Sequence, residues 1–203
     1  MKNRKVVMLL SGGADSVAAY LKLLDTYHDI HPVFYDYGQP NLEVERALAL
    51  EVVDKTNNKN GLRVLSLALL KTMQYGSVTD EQAFVPHRNT LFLIVGAVYA
   101  EKIQADGLCI GYMKNDVSFF DNSIEHHKII EDIIKKNVGR DFEVMLPLKD
   151  MTKKDVMQYL KNHYNMDKTV SCWSAKLVDG KIVACGTCAN CLERQGAEKE
   201  VNK

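Results

Sequence analysis

Lys5-Val6-Val7-Met8-Leu9-Leu10 runs directly into Ser11-Gly12-Gly13-Ala14-Asp15-Ser16. The first stretch is an almost unbroken apolar run, the pattern of a strand buried on both faces. Ser11-Gly12-Gly13 ends it. Val17, Tyr20, Leu21 and Leu24 follow at helical spacing, with Asp15 and Ser16 as first-turn or cap residues. Glycines let the backbone turn sharply and approach a ligand closely. The amides opening the next helix point at that turn, and the helix dipole favours an anion there. The segment is therefore suited to phosphate or pyrophosphate. It contains neither G-x-x-x-x-G-K-[ST] nor G-x-G-x-x-G. The plainer account is a tight turn followed by a helix cap, with Asp15 a first-turn carboxylate favoured by the dipole.

Outward from this turn the chain alternates strands and helices. A second strand is expected over 30–35, ending at Tyr37-Gly38-Gln39-Pro40, with a helix over 42–55. A third strand is expected over 62–67. Residues 71–88 read as a polar loop, and Asn89 or Thr90 as the cap of a mostly apolar helix. A fourth strand is expected over 108–112. Ser123 should cap a helix with Ile129, Ile130, Ile133 and Ile134 on one face. Phe142, Val144 and Leu146 alternate as in a strand, and Thr152 to Asp155 resembles a capping box. Crossover helices imply an α/β fold with a doubly wound, mostly parallel sheet. In such sheets ligands sit beyond the carboxyl ends of the strands. We expect this domain over 1–165 and a small C-terminal metal-binding segment, packed on it, over 166–203.

The 203 residues balance 26 Lys+Arg against 26 Asp+Glu. A protein built mainly to grip nucleic acid usually carries a basic excess, so this balance argues against that role. The apolar run Leu91 to Ala100 is about half the length a bilayer requires. No export segment is read at the N-terminus, and a cytoplasmic location is expected. In that compartment clustered cysteines favour a metal over disulfides.

Cys185-Gly186-Thr187-Cys188-Ala189-Asn190-Cys191 places three thiols within seven residues. Cys172 lies upstream. Between them, Leu177 to Val183 reads as a hairpin around Asp179-Gly180, which would return the chain and bring Cys172 to the other three. Four thiolates in a closed site suit a structural Zn²⁺, one per chain. An iron–sulfur cluster is the rival, although the x₃-C-P continuation of the ferredoxin pattern is missing. Cys109, amid apolar residues in a strand, reads as core. His126 and His127 read as surface or core-edge residues, not ligands.

Ser11 to Ser16 resembles the S-G-G-x-D-S loop of the PP-loop ATP pyrophosphatase superfamily, which holds ATP phosphates. Tyr37-Gly38-Gln39, Val85-Pro86-His87-Arg88-Asn89, Gly111 with Asp116 and Ser118, Pro147-Leu148 with Thr152-Lys153, and Ser171-Cys172-Trp173 with the cysteine cluster and Arg194 follow in order. Together they resemble the 7-cyano-7-deazaguanine (preQ0) synthases of the QueC family over nearly the whole chain. Two stretches depart from that pattern. Pro40-Asn41 stands where the family has R-H or K-H, and Phe119 to Ser123 where it has G-Y-P-D-C.

The resemblance implies a ligase that turns 7-carboxy-7-deazaguanine, ammonia and ATP into 7-cyano-7-deazaguanine, with Mg²⁺ accompanying ATP. The acid and then the amide would be adenylated. Free ammonia or another protein would supply the nitrogen. By the same resemblance Asp15, Ser16, Arg88 and Lys153 are catalytic candidates. Ser11, Gly12, Gly13, Ala14, Asp15 and Ser16 would bind phosphates, with Tyr37, Gly38 and Gln39 also on the ATP side. Arg88, Asn89, Asp116 and Ser118 would bind substrate. A homodimer with small-molecule substrates, no nucleic acid and no membrane is implied. The alternatives are another PP-loop adenylating enzyme acting on a related deazapurine or on tRNA, and a non-catalytic nucleotide- and zinc-binding module.

Overall fold

A computed structural model describes residues 2–72, 85–114 and 119–203. The apolar opening forms β1 (Lys2–Leu9), and α1 (Ala14–Leu24) follows directly after the glycine turn. Then come β2 (Tyr27–Asp36), α2 (Leu42–Lys55), β3 (Arg63–Ser66) and the short α3 (Ala68–Lys71). Beyond them lie α4 (Arg88–Lys102), β4 (Gly107–Cys109), α5 (Ile124–Val138), β5 (Glu143–Met145) and α6 (Lys153–His163). The chain ends with a hairpin, β6 (Lys176–Val178) and β7 (Lys181–Val183), and with α7 (Ala189–Val201).

The large sheet is parallel throughout, in the order β3-β2-β1-β4-β5. The doubly wound α/β expectation is met. β1 is central and buried on both faces, with Val6, Val7 and Met8 fully enclosed, so its pattern is continuous rather than alternating. One core packs Met8, Val17, Tyr20 and Met157 on one face, and another packs Val7, Leu93, Leu108 and Phe142 on the other. β2 and β4 flank β1, and the chain reverses direction across the sheet at that point. The crevice beyond the carboxyl ends of these strands is where such folds take ligands.

Three local details differ from the sequence expectation. Helix α4 begins at Arg88, preceded by His87 in the left-handed region (φ 59°) with no side-chain cap of its own; Asn89 and Thr90 lie inside the first turn. On α5, Ile130 and Ile134 are buried, whereas Ile129 and Ile133 are 44% and 42% exposed. The helix meets the sheet along a narrower stripe than four isoleucines suggest. Gly13 stands at the N-cap of α1, so Asp15 and Ser16 are first-turn residues. Other details agree. Ser123 caps α5, and Thr152 and Asp155 form a complete capping box. No helix among the described residues is long and apolar enough to cross a membrane.

Residues 166–203 share the main core: Ala197 and Val201 of α7 pack with Val156, Met157 and Leu160 of α6. Lys161 Nζ donates to the Val201 carbonyl at 3.1 Å. Val170 forms a bridge with Gly13, Ala14 N donating to Val170 O at 3.2 Å and Val170 N to Gly12 O at 3.3 Å. The segment that carries the cysteines is thus stitched to the glycine turn by backbone.

Candidate active site and metal centre

A cavity of about 510 Å³ opens at the carboxyl ends of β1, β2 and β4. Its floor is the glycine turn. Ser11 and Ser16 are 3.0 Å apart through their hydroxyls, and Ser16 Oγ donates to Gly13 O at 3.0 Å. Ser16 Oγ also accepts from Ser11 N at 3.1 Å. The two serines therefore brace the loop. Gly12 has φ +80°, and a Cβ there would stand 2.4 Å from Glu45 O, so no side chain fits. A Cβ on Gly111 would meet the Asp15 and Ser16 backbone at 2.9 Å, which explains that glycine too.

The expected set of loop amides narrows. Gly13 N donates to Ser11 Oγ and Ala14 N to Val170 O. Among the described residues the amides of Gly12, Asp15 and Ser16 have no such partner; of these, Asp15 and Ser16 border the cavity and sit in the first turn of α1, where partial positive charge concentrates. These are the donors the loop can offer an anion.

Lys153, at the start of α6, reaches this turn from 138 residues away. Its Nζ lies 2.9 Å from both Asp15 carboxylate oxygens, and Glu193 of α7 stands 3.9 Å off. The lysine side chain is only 10% exposed. Lys153 is therefore not a solvated surface lysine but a partly buried cation beside the phosphate-sized turn.

The opposite wall is aromatic. The Arg88 guanidinium lies 5.1 Å from the Trp173 ring centroid and 5.9 Å from that of Tyr37. Tyr37 in turn packs on Phe92 at 5.2 Å. Asn89 borders the cavity, and its amide donates to Asp121 Oδ2 at 3.2 Å, so the 3₁₀ turn Phe120–Asn122 caps α4 from outside. Thr90 Oγ1 meets His126 Nε2 at 2.8 Å. His126 and His127 are both buried, and burial lowers both imidazoles. Gly38 (φ +79°) turns the chain after β2 and does not border the cavity. Gln39 does, but its amide is committed: Oε1 accepts from Tyr37 N at 3.1 Å and Nε2 donates to Tyr35 O at 3.0 Å. These two shape the corner between β2 and α2. Asp116 and Ser118 lie outside the described residues.

Sequence reasoning missed Glu45. It borders the cavity, and burial pushes its carboxyl up to about 7 against hydrogen bonds from Gln39 and Asn41 and the charge of Arg88. The signal was present: Glu45 precedes Leu48, Ala49 and Val52 on the buried stripe of α2, where a carboxylate is out of place.

The four C-terminal cysteines converge as their spacing suggests. Their sulfurs all lie within 4.8 Å of one another. Cys172 Sγ is 3.5 Å from Cys185 Sγ, and Cys185 Sγ is 3.9 Å from Cys191 Sγ. A tetrahedron of sulfurs about 2.3 Å from one zinc ion has edges of about 3.8 Å. The residues present fit such an ion. The hairpin turn has Asp179 and Gly180 at positive φ, and Gly186 (φ +76°) bends the knuckle. Amides of Thr187 and Cys188 aimed at Cys185 hold its thiol down at about 6, towards the thiolate a metal needs. Asn41 Nδ2 donates to Cys172 O at 2.9 Å and ties this centre to the start of α2. Trp173, the next residue, is thereby presented to the cavity.

Comparison with known proteins agrees with this geometry. The chain is 30% identical to a 7-cyano-7-deazaguanine synthase of Methanosphaera stadtmanae, covering 98% of this chain and 95% of the relative. Two solved structures share the fold. The U34-tRNA thiolase NcsA of Methanococcus maripaludis, with its [4Fe-4S] cluster, matches with a TM-score of 0.54 at 13% identity, over all of this chain and 74% of its own. A 4-thiouridine synthetase in complex with RNA and ATP matches with a TM-score of 0.55 at 19% identity, over 98% of this chain and 50% of its own. The model of the queuosine biosynthesis protein QueC matches residues 5–202, and this chain belongs to the QueC family.

Proposed function

We propose that this protein is an ATP-dependent carbon–nitrogen ligase that converts 7-carboxy-7-deazaguanine and ammonia into 7-cyano-7-deazaguanine. The observation that carries the reading is family membership across residues 5–202, joined to one cavity with an anion-binding turn on one side and an aromatic, charged wall on the other. A carboxylate is a poor electrophile, being anionic with a bad leaving group. Attack of its oxygen on the α-phosphorus of ATP expels pyrophosphate and gives an acyl adenylate. Ammonia displaces AMP and leaves the amide. The amide oxygen then attacks a second ATP, and loss of AMP with protons yields the nitrile. Both steps are attack by oxygen on the same phosphorus, so one loop serves twice.

The free amides of Asp15 and Ser16 receive phosphate at the head of α1. Lys153, anchored by Asp15, stabilises the charge that gathers at phosphorus. Arg88, spread between Tyr37 and Trp173, faces the acid substrate rather than the loop, and Asn89 stands beside it. Asp116 and Ser118 remain assigned to the substrate. Mg²⁺, expected to accompany ATP, would supply charge neutralisation for the leaving pyrophosphate. The segment 166–203, with Cys172, Cys185, Cys188 and Cys191, would hold a structural Zn²⁺; a cluster of several irons would hold its cysteines farther apart than these sulfurs stand. We place the protein in the cytoplasm as a homodimer. Transfer to tRNA is the weaker reading, since the net charge is zero.

The test is turnover. Purified protein with ATP, Mg²⁺, ammonia and 7-carboxy-7-deazaguanine should release AMP and form the nitrile by mass spectrometry. Absence of AMP and of both amide and nitrile would sink the reading. In the same assay Asp15→Ala should lose more than about 100-fold in AMP release, because it leaves the partly buried Lys153 ammonium with only the more distant Glu193, 3.9 Å away, to hold it. Activity near wild type would mean that Asp15 only favours the helix.

A further inference from the structure

The cavity wall holds a charged pair that the loop chemistry does not use. Glu45 projects from the buried stripe of α2. Its Oε2 accepts from Gln39 Nε2 at 3.1 Å, and Gln39 is itself pinned by the β2 backbone. The carboxylate is thus fixed in direction. Arg88 lies close enough for its charge to act on Glu45, and Arg88 is flanked by the flat faces of Tyr37 and Trp173. A carboxylate beside a planar guanidinium, in an aromatic-walled cavity, has a chemical complement. It is a heterocycle edge with two adjacent N–H donors next to a carbonyl oxygen. A 2-amino-6-oxo purine-like base carries that edge. An adenine edge presents one donor and one acceptor, and the acceptor would face the carboxylate.

We propose that Glu45 is the specificity-determining residue of this cavity: its carboxylate accepts from the ring N–H and the exocyclic amino group of a 2-amino-6-oxo base, while Arg88 donates to the 6-oxo oxygen. The assignment rests on the deazaguanine reading above. It places the base against α2 and the cysteine-bearing end of the chain, and it points the substituted five-membered ring at the glycine turn, where the proposed adenylation would occur. Burial of Glu45, which raises its carboxyl, is what such an acceptor shows while its donors are absent.

Trp173 is the chain's single tryptophan and borders the cavity, so intrinsic fluorescence reads the site directly. Wild-type protein should be quenched saturably by 7-deazaguanine. Binding of 7-deazahypoxanthine, which lacks the 2-amino group, should be about 10- to 100-fold weaker, the value of one hydrogen bond to a charged buried acceptor. Glu45→Gln should weaken 7-deazaguanine by a similar factor and close the gap between the two bases, with the KM for ATP unchanged. Equal binding of the two bases by wild type overturns the proposal. So does a Glu45→Gln variant that keeps both affinity and gap, or tighter binding of 7-deazaadenine. Absence of any quenching by 7-deazaguanine overturns it as well. If Glu45→Gln fails to fold, the wild-type base series decides alone. Selective base binding without turnover of the acid keeps this proposal and removes the reaction; turnover with Glu45→Gln unaltered does the reverse.

Discussion

Glu45 shows how a single side chain can weaken the fold in order to serve a site. Its carboxyl is raised to about 7 from the ordinary 4.5, chiefly by desolvation, with Gln39, Asn41 and Arg88 opposing the rise and Tyr37 the other titratable group beside it. An acid with a raised folded pKa holds its proton in the folded state after the unfolded chain has released it. Stability therefore falls as pH climbs from about 4.5 through about 7, and the loss is complete above that window. The full shift would correspond to about 3 kcal/mol. Exposure to the cavity reduces this to about 1–2 kcal/mol. Glu45→Gln without ligand should then melt about 2–8 °C higher than wild type at pH 8, with the gain shrinking towards nothing near pH 5. Thermal melts at the two pH values check this; an equal gain at both would remove the electrostatic explanation. The variant that binds base worse is expected to be the more stable protein, a trade common at functional sites.

At the scale of elements, the informative join is between α4 and the 3₁₀ turn before α5. Helix α4 has no cap from its own chain neighbour, because His87 sits in the left-handed region. Asp121 supplies the missing acceptor to Asn89 N, and a carboxylate at that end is favoured by the helix dipole. Arg88, the first residue of α4, lies next to this contact, so loosening it should loosen Arg88. Asp121→Ala should cost about 1 kcal/mol, or about 2–4 °C in Tm. It should also raise the KM for the acid substrate several-fold while leaving the KM for ATP alone. An unchanged substrate KM would show that α4 holds Arg88 without help. Asp121 lies in the stretch that departs from the family pattern, and its role could not be read from the sequence. Asp121 and Asn89 are 32 residues apart, and nothing local announces their contact. By contrast the Thr152–Asp155 capping box and the Asp179-Gly180 hairpin were legible, because each is closed by residues a few positions apart.

For the whole molecule, the cysteine centre and the glycine turn are one construction. Asn41 links Cys172 to α2, Val170 pairs with the turn itself, and Arg194 of α7 donates to Met166 O at 2.7 Å and to Thr169 O at 3.0 Å, holding the segment that makes this pairing. Metal at the four cysteines should therefore stabilise the glycine turn as well as the tail. We expect one zinc per chain by elemental analysis. Zinc removal by a strong chelator should lower Tm and weaken ATP binding together. Zinc below one equivalent with iron present would favour a cluster instead, and loss of metal without change in ATP affinity would uncouple the two ends.

The sequence by itself determined the elements and the chemistry each carries: a buried strand, a phosphate-sized turn at a helix head, and four thiols spaced for one ion. These are legible because each depends on neighbours within about a dozen residues and on the two periods of strand and helix. Only the tertiary structure decided which of these groups meet. Asp15 finds Lys153 across 138 residues, Asn41 finds Cys172 across 131, and Glu45 faces Arg88 and Trp173 over one cavity. The order of strands in the sheet sets those distances. That order follows from burying both faces of β1 at once, which requires the whole chain rather than any segment of it.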